Sequence, residues 1–174
     1  AYISQFVNSA NHLVLISPRR FGKSSVVAKS MKQTGRKHIT VNLQQTTSVS
    51  DLSAKLLREF FKVHPFERVR HLITHFRVIP TLSTNAITGT MDVSFQPNVD
   101  GSIILEDVLT LIERAHTEQD RMIIVLDEFQ EICELAPKFD KKLRSIMQMQ
   151  KNINYILLGS QESMMTDIFE NKKS

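Results

Sequence analysis

The residues whose types and spacing best suit them to chemistry are Ser17-Pro18-Arg19-Arg20-Phe21-Gly22-Lys23-Ser24-Ser25. They follow the phosphate-binding pattern of Gly, four residues, Gly-Lys and then Ser or Thr, except at the first position, where Ser17 replaces Gly. In such a loop successive backbone N–H groups wrap a phosphate chain, and the helix that begins at its end directs its positive dipole end at the anion. Gly22 permits close backbone approach, Lys23 reaches the terminal phosphates, and the Ser24 hydroxyl is placed to bind Mg²⁺. Ser17, followed by Pro18, must adopt an extended geometry. That affects loop shape more than phosphate binding. A Gly-Lys-Ser turn that merely opens a helix is the competing reading, and this loop alone does not exclude it.

A second constellation shifts the balance. Five apolar residues, Met122-Ile123-Ile124-Val125-Leu126, deliver Asp127 and Glu128 to the carboxyl end of a strand, where ligands bind in open α/β sheets. Asp127 is suited to hold Mg²⁺ through water, and Glu128 to polarise an attacking water as general base. Side chains adjacent on a strand point to opposite faces, but past its end the chain can turn both toward one ligand. Acidic residues favouring a helix dipole are the plainer alternative. A third strand end, Leu158-Gly159-Ser160-Gln161, offers a polar residue to the γ-phosphate or attacking water, as in nucleotidases of this layout. Ser160 is the candidate and Gln161 the alternative; a cap for the helix beginning at Glu162 explains either residue equally well.

Positioning these groups requires particular elements. Residues 12–16, 122–126 and 155–158 are continuous apolar runs, as expected of strands covered on both faces of a parallel sheet. Residues 38–43 form a weaker fourth strand, nearer an edge. Helical spacing is expected over about 22–33, with Thr34-Gly35 as the stop. It recurs from near Ser50, which would cap a stripe of Leu52, Leu56, Leu57 and Phe60, and again over 66–77, after Asp100-Gly101, over 139–150, and from Glu162 to near Phe169. The repeating unit is βα. Residues 78–100, rich in Ser, Thr, Asn, Gly and Pro, are expected to form an inserted surface hairpin or ordered loop.

Taken in order, Pro18-Arg19-Arg20-Phe21-Gly22-Lys23-Ser24, Leu126-Asp127-Glu128-Phe129-Gln130 and Leu158-Gly159-Ser160 resemble the prokaryotic and archaeal-type ATPase domain of the AAA+/STAND P-loop NTPases. The resemblance covers nearly the whole chain, and members of that family commonly tolerate a non-Gly residue at the Ser17 position. It implies an α/β fold, a three-layer αβα sandwich with a mostly parallel sheet in strand order 5-1-4-3-2. The motif strands 1, 3 and 4 would start near Leu13, Met122 and Tyr155. It further implies ATP and Mg²⁺ as cofactors, with residues 17–25 around the nucleotide, Ser24 and Asp127 at the metal, and Glu128 and Ser160 catalytic. ATP would be hydrolysed to ADP and phosphate.

Only four strands are visible, so residues 1–174, opening on Ala1 and stopping at Asn171-Lys172-Lys173-Ser174, are expected to be a P-loop ATPase core cut before the fifth strand and lid. That leaves the phosphate-loop strand at a sheet edge and predicts self-association. Such domains serve as nucleotide-driven switches or motors, so a protein or DNA partner would act through modules absent from this chain. A regulatory module that holds nucleotide without turnover is the alternative. A small-molecule kinase fits less well, because such kinases usually lack the water-activating Glu. Arg19 and Arg20 could contribute charge in cis.

Composition sets the outer bounds. With 174 residues, 41% hydrophobic and 23% charged, the chain is expected to be one soluble domain, neither collagen-like nor disordered. Its net charge of +4 is too small to define a nucleic-acid surface, and the basic residues Lys62, Arg68, Arg70, Arg77, Lys138, Lys141, Lys142, Arg144 and Lys151 are expected on solvated faces. His71 and His75, four apart, have no third metal ligand beside them. The lone Cys133 cannot form an internal disulfide and suits packing; a cytoplasmic location is expected. No apolar run approaches the roughly 20 residues of a membrane helix, so no membrane partner is expected.

Overall fold

The computed structural model describes residues 2–7, 9 and 11–170. The chain end at 171–174 lies outside the described residues. Helix α1 (Tyr2–Val7) precedes β1 (Leu13–Ile16), and the phosphate loop joins β1 to α2 (Lys23–Thr34). Next come β2 (His38–Asn42), a 3₁₀ turn at Leu43–Gln45, α3 (Val49–Val63) and α4 (Phe66–Ile73). Strands β3 (Thr81–Thr84) and β4 (Met91–Ser94) form an antiparallel hairpin. The chain continues through α5 (Gly101–Ala115), β5 (Met122–Asp127), a 3₁₀ turn at Phe129–Glu131, α6 (Ile132–Leu135), α7 (Phe139–Met149), β6 (Ile153–Gly159) and α8 (Glu162–Glu170).

The main sheet has the order β1-β6-β5-β2 with every pairing parallel, which is the α/β arrangement expected and the 1-4-3-2 part of the expected strand order. Its two central strands, β5 and β6, are buried almost throughout, and this is why their sequences are apolar runs without alternation. Along β5 the side chains nevertheless sort by period two. Ile123 and Val125 join Leu13, Val27 and Met31 in a core beneath α1 and α2. Met122, Ile124 and Leu126 join Leu105, Leu109 and Phe60 in a larger core beneath α3 and α5. Two cores on opposite faces of one sheet make three layers.

Several boundaries differ from expectation. Helix α3 is capped by Ser48 rather than Ser50: the Ser48 hydroxyl accepts from the Asp51 N–H at 3.0 Å, while the Asp51 carboxylate accepts from the Thr47 N–H at 3.0 Å. Each side chain satisfies a donor near the helix start, the logic of a capping box. Helix α4 ends at Ile73 and not at residue 77. Thr74 turns its hydroxyl onto the His71 carbonyl at 2.6 Å. Beyond it, Arg77 is drawn to α5, its N–H and Nε donating to the Asp107 carboxylate at 2.9 and 3.0 Å. Strand β6 starts two residues before Tyr155 because buried Asn154 hides a polar residue inside the strand, donating from Nδ2 to the carbonyls of Ser9 and Asn11 at 3.0 Å each. In the β3–β4 hairpin, Asn85 anchors the turn by accepting from the N–H groups of Ile87 and Thr88, and Val93 is buried in the larger core. Among the described residues no helix is long and apolar enough to cross a membrane.

Candidate functional site

The site is built where β1, β5 and β6 end together. The Ser17 N–H donates to the Gly159 carbonyl at 3.1 Å, which carries the β1–β6 pairing one step past the strand and sets the phosphate loop beside the end of β6. The loop reverses through Arg20 and Gly22, both in the left-handed region at φ 68° and 75°. A Cβ on Gly22 would meet nothing within 4 Å, so it is the backbone angle and not crowding that calls for glycine there. Gly22 is the N-cap of α2 and forms no side-chain cap bond, which leaves the N–H groups of the first turn available to a ligand. Lys23 Nζ donates to the carbonyls of Ser17 and Pro18 at 2.7 and 3.3 Å, bridging the loop. Ser17 thus enters through its backbone, which any residue but proline can supply.

A cleft of about 300 Å³ opens over this loop, lined by Arg19, Arg20, Gly22, Lys23, Ser24, Ser25, Gln44 and Glu128. Ser17, Pro18 and Phe21 do not line it, and Phe21 is 73% exposed. The two sequence constellations meet at one bond: the Ser24 hydroxyl donates to Asp127 Oδ2 at 2.5 Å. Asp127 Oδ1 accepts from the Glu128 N–H at 2.9 Å. Glu128 itself takes φ 53° and ψ 49°, and this left-handed step bends the chain just past β5.

Glu128 Oε2 accepts from Ser160 Oγ at 2.6 Å and from Gln130 Nε2 at 2.6 Å. Burial alone would push the Glu128 carboxyl up, but these two hydrogen bonds and the charges of Arg19 and Lys23 outweigh it and hold the carboxyl below its usual range. Gln161 is exposed, and its carbonyl accepts from the Met165 N–H at 3.0 Å. Of the two candidates at the β6 end, Ser160 therefore meets the carboxylate and Gln161 opens α8. Gln130 and Gln44 were not singled out by their sequence context, since an amide two residues beyond an acidic pair carries no chemical signature of its own.

Other polar features lie away from this cleft. A larger cavity of about 630 Å³ runs between β2, α3 and the hairpin. Its cations Lys55, Arg58 and Lys62 pair with Asp51, Asp92 and Glu59 at 3.2, 4.0 and 2.7 Å, and none of the phosphate loop lines it. Cys133 is exposed rather than packed in the core; its thiol is pushed up by partial burial and by Asp140 and Glu134, which disfavours a nucleophilic role. Among the described residues no group of three or more His, Cys, Asp or Glu side chains is gathered around a metal-sized space.

The family model described as an AAA domain matches residues 7–164. The chain belongs to the AAA domain family. It is an AAA-type P-loop ATPase domain, and so a nucleotide-binding one. None of the curated proteins compared matches it. Among solved structures, this AAA domain is similar to the Walker-type ATPase PABY2304 of Pyrococcus abyssi, with a TM-score of 0.66 and 17% identity, over 98% of this chain and 46% of that one. It is also similar to the Aeropyrum pernix Orc1 protein, solved in complex with DNA, with a TM-score of 0.59 and 14% identity, over 97% of this chain and 39% of that one. At these identities the likeness is one of fold. The AAA domain described here spans less than half the length of either protein.

Proposed function

We propose that this AAA domain binds ATP in the cleft over the N-terminus of α2 and, with Mg²⁺, hydrolyses it to ADP and phosphate. The observation that carries the reading is the Ser24–Asp127 hydrogen bond, which joins the phosphate loop to the acidic strand end. A hydroxyl and a carboxylate in contact are the hard oxygen donors that Mg²⁺ takes, so these residues fit the ion: Ser24 would hold it directly and Asp127 through water. When bound, Mg²⁺ supplies charge neutralisation at the β- and γ-phosphates.

The chain's own groups do the rest. Backbone N–H groups between Arg19 and Ser25 wrap the phosphates, and Lys23 exchanges the Ser17 and Pro18 carbonyls for phosphate oxygens. Arg19 and Arg20 add positive charge from the cleft wall. Glu128, kept ionised by its surroundings, accepts the proton of the attacking water, and Ser160 holds its Oε2. The domain would thereby act as a nucleotide-driven switch or motor for attached modules in the cytoplasm, with a protein or DNA partner engaged outside residues 1–174. The experiment is ATP titration calorimetry on Lys23→Ala, with circular dichroism to confirm folding. Losing one or two charge-assisted hydrogen bonds should weaken ATP binding at least about 10- to 100-fold. Affinity equal to the wild type would overturn the site.

A further inference from the structure

Gln130 sits in the 3₁₀ turn after β5, is 0% exposed, and is neither a phosphate-binding group nor the general base. A buried carboxamide is costly unless both of its ends are hydrogen-bonded. Here both ends are used and, among the described residues, only on the site. Nε2 donates to Glu128 Oε2 at 2.6 Å and lies 3.3 Å from Ser160 Oγ, while Oε1 accepts from the Ser160 N–H at 3.3 Å. The orientation of the amide follows from its partners, because a carboxylate can only accept and a backbone N–H can only donate. The turn that carries it is held by Phe129, fully buried and stacked on Phe169 of α8 with ring centroids 5.7 Å apart.

We propose that Gln130 is a positioning residue for hydrolysis: its carboxamide, with Ser160, pins Glu128 Oε2 and leaves Oε1 to receive the proton of the attacking water. This rests on the ATPase reading above. Among the described residues none donates a hydrogen bond to Oε1. The pinned oxygen orients the carboxylate plane, and reaction rate is sensitive to displacements of about 1 Å in such a group.

The test compares wild type, Gln130→Met and Gln130→Glu for ATP affinity and for kcat across pH. Gln130→Met keeps the length and removes the amide. It should lower kcat about 10- to 100-fold, leave ATP affinity within about twofold, and move the acid limb of the kcat profile to higher pH as Glu128 loses a donor. Gln130→Glu sets a like charge beside Glu128 and should move that limb further in the same direction. In the wild type alone, the Gln130 side-chain amide protons should be protected from exchange with solvent, a readout that holds even if a variant fails to fold. A variant with wild-type kcat and pH profile and only a lower Tm would overturn the proposal, as would Gln130 amide protons that exchange as freely as those of an exposed glutamine. Absence of ATP hydrolysis by the wild type would instead overturn the ATPase reading.

Discussion

Asp127 and Glu128 are neighbours, and a regular strand would send them to opposite faces; the left-handed step at Glu128 (φ 53°) removes that conflict. Such a conformation costs a non-glycine residue on the order of 1–3 kcal/mol, and the bonds from Ser160 and Gln130 to its side chain hold it in place. Ser160→Ala should therefore leave ATP affinity unchanged, lower kcat about 10-fold, and shift the acid limb of the kcat profile upward. In the wild type the Glu128 carboxyl titrates below its ordinary value. Its contribution to stability is therefore complete above about pH 4.3 and is lost as pH falls through the folded value. The acid limb of turnover at saturating ATP should likewise lie below the ordinary glutamate range. Lys23, Ser24, Asp127 and Glu128 were legible in the sequence because motif spacing fixes them locally. Gln130 was not, because its partner Ser160 lies thirty positions away and only the closed fold brings them together.

At the level of elements, apolar stripes located the helices well, while their ends depended on single polar contacts. Both Ser48 and Ser50 precede the α3 stripe, and only the fold decides which hydroxyl meets a free N–H. Ser48→Ala should lower the unfolding free energy by about 1 kcal/mol and Ser50→Ala by much less, measured by urea denaturation. Helices α3 and α5 are also bolted at their C-terminal ends, where His64 and His116 place their Nε2 atoms 2.8 Å apart. The Asp120 carbonyl accepts from His116 Nδ1 at 2.8 Å, so His116 Nε2 is the acceptor and His64 the donor. Burial lowers both imidazoles, and His116, Lys37 and Arg68 push His64 further down, against Asp120, to about 4. The folded values lie below the unfolded one near 6.5, so the folded state resists protonation. The stability involved is complete above about pH 6.5 and declines as pH falls toward 4. Urea midpoints should drop across that window, and His64→Gln should flatten the drop.

For the whole molecule, the continuous apolar runs were enough to indicate a parallel sheet, whereas the order of its strands came from the family resemblance and not from periodicity. The order matters to function because it places β6 between β1 and β5, bringing Ser160 to the carboxylate that β5 delivers. Among the described residues it also leaves β1 paired with β6 alone, with Val14 and Ile16 37% and 41% exposed. Open edges recruit other strands, so light scattering should show this chain self-associating with concentration and Val14→Lys reducing it; a wild type that stays monomeric at high concentration would count against this. On this reading the molecule is an ATPase in which Glu128 activates water. The most direct measurement is phosphate release from ATP under single-turnover conditions by Glu128→Gln beside the wild type, with ATP affinity measured on both. The prediction is affinity retained within about threefold and release slowed by about 10²- to 10⁴-fold, the worth of a general base. Release from Glu128→Gln at the wild-type rate would contradict it.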